Sequence, residues 1–357
     1  MKINFVDAPP SLLAFDHIVD GKSCRLFHLH NSAADLHAWI TNYGGKMVAL
    51  TAPDRNGDLE NILLGYNSLE GYLNGNPYFG ALIGPVANRI ANAEFSLGEE
   101  KIMLQPNDGP NCLHSGSSGF HNKVWDVVDY ENDFLLLRYV KCHGEGGFPG
   151  KLVVDVRFVL GRNNELSIIY SAVTDQPTAV NLTNHNYYNL AGEGRGDVLQ
   201  QIAQIHADTI LPVDATLCPT GDFMPVENTP FDFRQPKAIG KEINADHPQL
   251  VLGLGYDHTF CLNNPSKNMK EAAVITDPLS GRCITVCTTE PGVQFYTGNY
   301  LDGSELGMRN KPYLYRGAFC LETQQFPNAL NIPHFPSILL KSDDTYSQYT
   351  EIKFSVH

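Results

Sequence analysis

No basic cluster interrupts this 357-residue chain, and its 39 acidic residues outnumber 25 basic ones, for a formal net charge of −14. Nucleic acid and anionic membranes both call for positive patches, so neither is an expected partner. No apolar run approaches the roughly 20 residues of a membrane-spanning helix. The opening Met1-Lys-Ile-Asn-Phe-Val-Asp-Ala-Pro-Pro10 lacks an apolar core segment and a cleavage motif, so no secretory signal is expected. Eight cysteines occur without a CxxC pair or the dense spacing of a disulfide scaffold. Free thiols in a cytoplasmic protein follow, and the Asn-x-Thr sequon at Asn181 is then idle. GxSxG and Walker A sequences are missing, and Gly144-Glu-Gly-Gly-Phe-Pro-Gly150 lacks the GxGxxG order of a phosphate cradle.

Helical patterning is scarce too. Only Asn67–Leu73 and the neighbourhood of Val86–Ala91 suggest short turns. What recurs instead is the β-hairpin. Glu94–Leu97 and Lys101–Leu104 flank Gly98-Glu99-Glu100; Val124–Tyr130 and Phe134–Val140 flank Glu131-Asn-Asp133. Leu152–Leu160 with Leu166–Val173, and Ala272–Thr276 with Arg282–Thr288, are two more. Lys151-Leu-Val-Val-Asp-Val-Arg-Phe-Val-Leu160 alternates cleanly, as a half-buried strand does. With 43% hydrophobic residues and repeated short strands, the chain reads as one all-β domain over residues 1–357, a large antiparallel β-sandwich. Leu211–His247 is expected to be a decorated loop region.

One histidine sits in a dense amide cluster. His185 lies in Asn181-Leu-Thr-Asn-His-Asn-Tyr-Tyr-Asn189, between stretches that read as strands, Thr178–Leu182 and Tyr187–Leu190. Asn is depleted in strands, so this clustering suggests a sheet face built to hold something polar. Cys320-Leu-Glu-Thr-Gln-Gln325 does the same around Glu322. An imidazole and a carboxylate on such a face are a proton donor and acceptor. Around them the chain supplies polar groups for hydroxyls and aromatics for a ring face. Asn88-Arg89 ends an apolar run, and Arg89 alone would read as a surface ion pair. His114 sits in a Gly- and Ser-rich loop, and Asp257 in Gly255-Tyr-Asp-His-Thr-Phe260. Gln294 and Phe295 point to opposite sides of one strand, where Phe295 alone would be core. His28 and His30 share a strand face without a third metal ligand nearby in sequence.

Taken together, Val86-Ala-Asn-Arg-Ile-Ala91, Asn181-Leu-Thr-Asn-His185, Pro219-Thr-Gly-Asp222 with Thr229-Pro-Phe-Asp-Phe-Arg234, Thr289–Gly303 and Leu321-Glu-Thr-Gln324 resemble the galactose mutarotase (aldose 1-epimerase) family, from about Tyr43 to the C-terminus. The resemblance implies an antiparallel sandwich with an open cleft, an aldose substrate, no cofactor and no metal, in a monomer or homodimer. It makes Glu322 the general base and His185 the general acid. It matches Asn88, Arg89, His114, Asp257 and Gln294 to sugar-binding positions, with Asn186 and Tyr187 in the same segment as His185 and Phe295 covering a ring face. Pro85, Ser115, Gln325 and Asn328 depart from the family pattern beside its motifs. The expected chemistry has ionised Glu322 take the C1 hydroxyl proton while protonated His185 gives one to the ring oxygen. Rival readings are a glycoside hydrolase or lyase pairing Glu322 with Asp257, a hexose-phosphate epimerase, which would need more cationic residues, and a non-catalytic sugar-binding protein.

Overall fold

The structure, a computed structural model, describes residues 5–6, 8–31, 35–76, 78–264 and 267–357. Residues 1–4 and 7 of the N-terminal segment read above lie outside them. All four hairpins expected from the sequence form. Three of them belong to a nine-stranded sheet, in the order Asp126–Tyr130, Phe134–Lys141, Leu152–Leu160, Glu165–Thr174, Tyr346–Val356, Arg282–Thr288, Lys270–Thr276, Ile202–Ile205 and Lys237–Ala238. A five-stranded sheet of Met224–Pro225, Ala207–Ile210, Asp257–Leu262, Gly292–Tyr296 and Cys320–Gln324 packs against it, and a four-stranded sheet over 26–61 completes the body. Every ladder in these three sheets is antiparallel.

Strand alternation decides what faces what. In Leu152–Leu160 the alternate residues Leu152, Val154, Val156, Phe158 and Leu160 are buried. They join Ile168, Tyr170, Ile284, Val286 and Ile352 of neighbouring strands in one apolar cluster, which also takes in Phe260, Val293, Phe295 and Leu321 of the five-stranded sheet. The core is therefore the space between the two sheets. The other face of the five-stranded sheet is also buried, and it carries polar groups. Gln294 lies opposite Thr259 and Glu322, and Asp257 opposite Tyr296, so Asp257, Thr259, Gln294, Tyr296 and Glu322 share that second face.

Helices are few and short: Leu69–Asn74, where Ser68 Oγ accepts from the Gly71 N–H, and Pro248–Gly253, which opens on a proline and has His247 Nδ1 accepting from the Gln249 N–H. Near Val86–Ala91 the chain forms the short strand Arg89–Ile90 and then one 3-10 turn, Ala91–Ala93. The segment around His185 differs from expectation as well. Of the first expected strand Thr178–Ala179 is ladder-paired and Asn181 makes a lone bridge to Val86, Thr183–His185 forms a strand, and within 187–190 only Tyr188 pairs, by bridges to Leu63 and Phe319. The asparagines explain this. Asn181 bonds both backbone groups of Gln325, Asn184 donates to Gly80 O at 2.9 Å, and Asn189 donates to Gly196 O and Gly317 O. Their amides tie neighbouring backbone segments to this bent chain, so these asparagines hold backbone rather than ligand.

Candidate active site

His185 is carried by Thr183–His185, which pairs with Ala81–Ile83, while Glu322 comes from Cys320–Gln324 in the five-stranded sheet. These separate elements bring His185 Nε2 to 3.5 Å from Glu322 Oε1, with both side chains almost wholly buried. They sit in a cleft of about 230 Å³ whose lining also includes Asn88, Arg89, His114, Tyr187 and Asp257. A cavity of about 440 Å³ lies elsewhere, under Trp39, Thr51 and Met308. The smaller cleft is the candidate site because acid, base, guanidinium and second carboxylate converge there, and size alone carries no chemistry.

Asp257 and Arg89 are held by partners outside the cleft, Asn88 and His114 by each other. Gln294 Nε2 donates to Asp257 Oδ1 at 2.7 Å, and Thr259 Oγ1 donates to Gln294 Oε1 at 2.6 Å, fixing the amide's orientation. Arg89 Nε donates to Asp108 Oδ2 at 2.7 Å. Burial opposes the Arg89 charge, but the Asp257 and Asp108 carboxylates outweigh it and hold the guanidinium firmly protonated. Asn88 and His114 both take positive φ, at 61° and 52°, and lock to each other: His114 N–H donates to Asn88 O, and Asn88 N–H to His114 Nδ1. Two non-glycine residues in left-handed backbone at one cleft are strain retained where side-chain placement matters.

Seven of the ten residues singled out in the sequence line this cleft; Asn186, Gln294 and Phe295 do not. Asn186 is buried and donates to Tyr188 Oη at 2.9 Å, so it braces the irregular segment. Gln294 acts one step back, through Asp257. Phe295 is wholly buried on the core side, against Tyr256 and Phe233 with ring centroids 5.6 Å from each, and covers no cleft. Sequence reasoning missed Asn76, Tyr78, Leu113, Tyr296, Tyr300 and Leu301. Period-two alternation from Gln294 points to Tyr296, a signal that was available; the loop residues left none.

A family model described as aldose 1-epimerase matches residues 25–353. Galactose mutarotase of Rattus norvegicus is 44% identical over 336 residues, 94% of this chain and 95% of that protein. Aldose 1-epimerase of Escherichia coli K12 is 36% identical over 337 residues, 94% and 96% of the two chains. The chain belongs to the aldose 1-epimerase family. Among solved structures, an aldose epimerase homologue from C. elegans superimposes with a TM-score of 0.86 at 28% identity, covering 94% of this chain and 99% of its own. Galactose 1-epimerase from Lactobacillus acidophilus gives 0.83 at 28% identity, covering 95% and 97%. The chain is thus an isomerase of that family on an antiparallel sandwich fold. Among the described residues no helix is long and apolar enough to cross a membrane.

Could the epimerase cleft hold a metal? One ligand atom from each of His114, His185 and Glu322 lies within 4.8 Å of the others. The Asn88 N–H can only donate, so His114 Nδ1 must accept and Nε2 of the neutral ring must carry the hydrogen. That leaves His114 a fixed hydrogen-bond donor with no lone pair for an ion, and the set does not fit a metal.

Burial acts on both proton-transfer groups in the direction of their neutral forms. It drives the His185 imidazole down to about 3 and the Glu322 carboxyl well above the usual carboxylate range, with Asp257 pushing Glu322 in the same direction. The expected ionised glutamate facing a protonated histidine is therefore opposed by burial at both groups, which favours the neutral form of each.

The same burial acts elsewhere. Six imidazoles (His28, His37, His114, His121, His185 and His258) are held below their ordinary value chiefly by burial, against three carboxyls raised by it, those of Asp257, Glu290 and Glu322. Unfolded imidazoles bind protons from about pH 6.5 downward that folded ones refuse, so they cost stability as pH falls. The raised carboxyls act with opposite sign, and the imidazoles outnumber them. The thermal midpoint is expected to fall by several degrees from pH 7 to pH 5, as followed by circular dichroism. A midpoint that rises over that interval would contradict the balance.

Proposed function

We propose that this chain interconverts the α and β anomers of D-galactose, D-glucose and related aldoses, with Glu322 and His185 passing protons at C1–OH and the ring oxygen. The observation that carries the reading is their 3.5 Å approach from separate strands inside a cleft that also holds Arg89 and Asp257. Glu322 Oε2 has no protein hydrogen bond although it is buried, which suits it to a substrate hydroxyl. Arg89, Asp257, Asn88 and the Nε2–H of His114 would hold the other hydroxyls, and Tyr187 lines the same wall.

Besides the N–H that a neutral imidazole keeps, the two groups share one transferable proton. Sugar hydroxyls entering the cleft supply hydrogen bonds that the charged form needs, so the proton shifts from Glu322 to His185. Glu322 then takes the C1 hydroxyl proton as the C1–O5 bond breaks, and His185 protonates O5. The products are an open-chain aldehyde and the neutral pair, the form burial favours. After rotation of about half a turn about C1–C2, His185 takes the O5 proton back, O5 attacks the other face of the carbonyl, and Glu322 protonates O1. Positioned acid–base transfer of this kind contributes roughly 10²- to 10⁴-fold, and orientation supplies the rest.

Freshly dissolved α-D-galactose or α-D-glucose followed by polarimetry with wild-type protein should relax far faster than in buffer. Relaxation at the buffer rate for every aldose tried would overturn the proposal. In this reading residues 1–357 form one catalytic domain, and the eight cysteines, none of them disulfide-bonded, suit a cytoplasmic setting.

A further inference from the structure

We propose that Tyr78 is a positioning residue for this reaction: with Tyr187 it flanks the His185 imidazole by nearly parallel phenol rings that fix its edge toward Glu322 and steady the imidazolium formed in turnover. The proposal rests on the proton-transfer reading above. The Tyr187 ring centroid lies 4.9 Å from that of His185 with planes 12° apart, and the Tyr78 centroid 5.8 Å away with planes 14° apart. Both separations fall within the roughly 6 Å at which an aromatic face attracts a cation.

The placement is built by the chain. Gly80 N–H donates to His185 O at 3.1 Å, and Ala81 N–H to Tyr78 O at 3.1 Å, so the segment carrying Tyr78 is bonded to the strand carrying His185. Gly80 sits at φ +67°, where a Cβ would meet Met47 O at 2.1 Å, so only glycine makes the turn. The adjacent Phe79 packs edge-on against Tyr187 at 4.8 Å, so neighbouring residues support both flanking rings. Tyr78 also touches the rings of His114 at 4.9 Å and His121 at 5.1 Å.

Around His185 stand Glu322 at 3.5 Å, His114 at 5.4 Å and Tyr296 at 6.4 Å between ring centroids, and buried Lys46, whose charge disfavours a second cation. Arg89 and Asp257 act on the pair through Glu322. Burial and Lys46 both oppose the imidazolium, and the two ring faces oppose them. Burial pushes the Tyr78 phenol up to about 12, so it is a neutral ring throughout the working range.

The test compares Tyr78→Phe, which keeps the ring, with Tyr78→Leu and the longer, unbranched Tyr78→Met, which lose it, by polarimetry with α-D-galactose after circular dichroism confirms folding. Tyr78→Phe should stay within about twofold of wild type, and both ring-less variants should lose roughly tenfold in kcat with KM nearly unchanged. A rise in KM alone would make Tyr78 a sugar contact, and equal losses in the Phe and Leu variants would assign the effect to its hydroxyl; either overturns the proposal. Normal kcat in the ring-less variants overturns it while leaving the parent reading intact. Full activity in His185→Asn would instead remove the parent reading.

Discussion

Glu322→Gln is expected to lower kcat for anomer interconversion by about a thousandfold while changing KM only a few fold. The amide keeps the shape and hydrogen-bonding reach of the carboxyl but can neither take up nor release a proton, so both halves of the cycle lose the partner of His185. Substrate contacts through Arg89 and Asp257 are untouched, which is why the loss falls on kcat. Stability should move the other way. The folded Glu322 carboxyl is held above its unfolded value of about 4.5, so its contribution is present below that pH and turns into a cost as pH rises and the unfolded carboxyl ionises first. The amide escapes that cost. The variant should therefore unfold at or above the wild-type temperature at pH 7 and lose that advantage near pH 4. Polarimetry and thermal melts at the two pH values check both halves. Wild-type kcat in a folded variant would withdraw Glu322 from the chemistry.

The residues that were legible in the sequence are those whose signal is periodic or covalently local. The hairpins of 94–103, 126–141, 152–174 and 270–288 could be read because each pairs with its neighbour through a short turn, and Leu152–Leu160 because its alternation survives with one face on the core. Sheet order could not be read. Tyr346–Val356 inserts between Glu165–Thr174 and Arg282–Thr288, and its pairing with the first, across more than 170 residues, leaves no local mark. At the site, His185 and Glu322 were visible as titratable groups in unusual surroundings, yet those surroundings had a different cause. The asparagines around His185 tie irregular backbone to Gly80, Gly196, Gly317 and Gln325. Tyr78 gave no signal because its contact with His185 depends on Ala81–Ile83 pairing with Thr183–His185, and loop sequence does not encode such a partner.

Phe295→Ala is expected to cost about 3–5 kcal/mol of stability, the range for deleting a fully buried aromatic ring. Alternation along Gly292–Tyr296 places Gln294 and Tyr296 toward the cleft and Phe295 away from it, into the layer shared with the nine-stranded sheet. There it packs on Tyr256 with planes 24° apart and meets Phe233 nearly edge-on at 81°, contacts that no neighbour can replace without opening a cavity. A residue covering a sugar face would behave in the opposite manner, raising KM with little change in stability. Urea denaturation beside polarimetric KM separates the two. A large drop in the denaturation midpoint with KM within about twofold of wild type fits the core assignment, because Gln294 and Glu322 keep their cross-strand register whenever the sheet is folded. A tenfold rise in KM at unchanged stability would instead return Phe295 to the cleft and require the register of Gly292–Tyr296 to be shifted by one residue, which would also turn Gln294 away from Asp257.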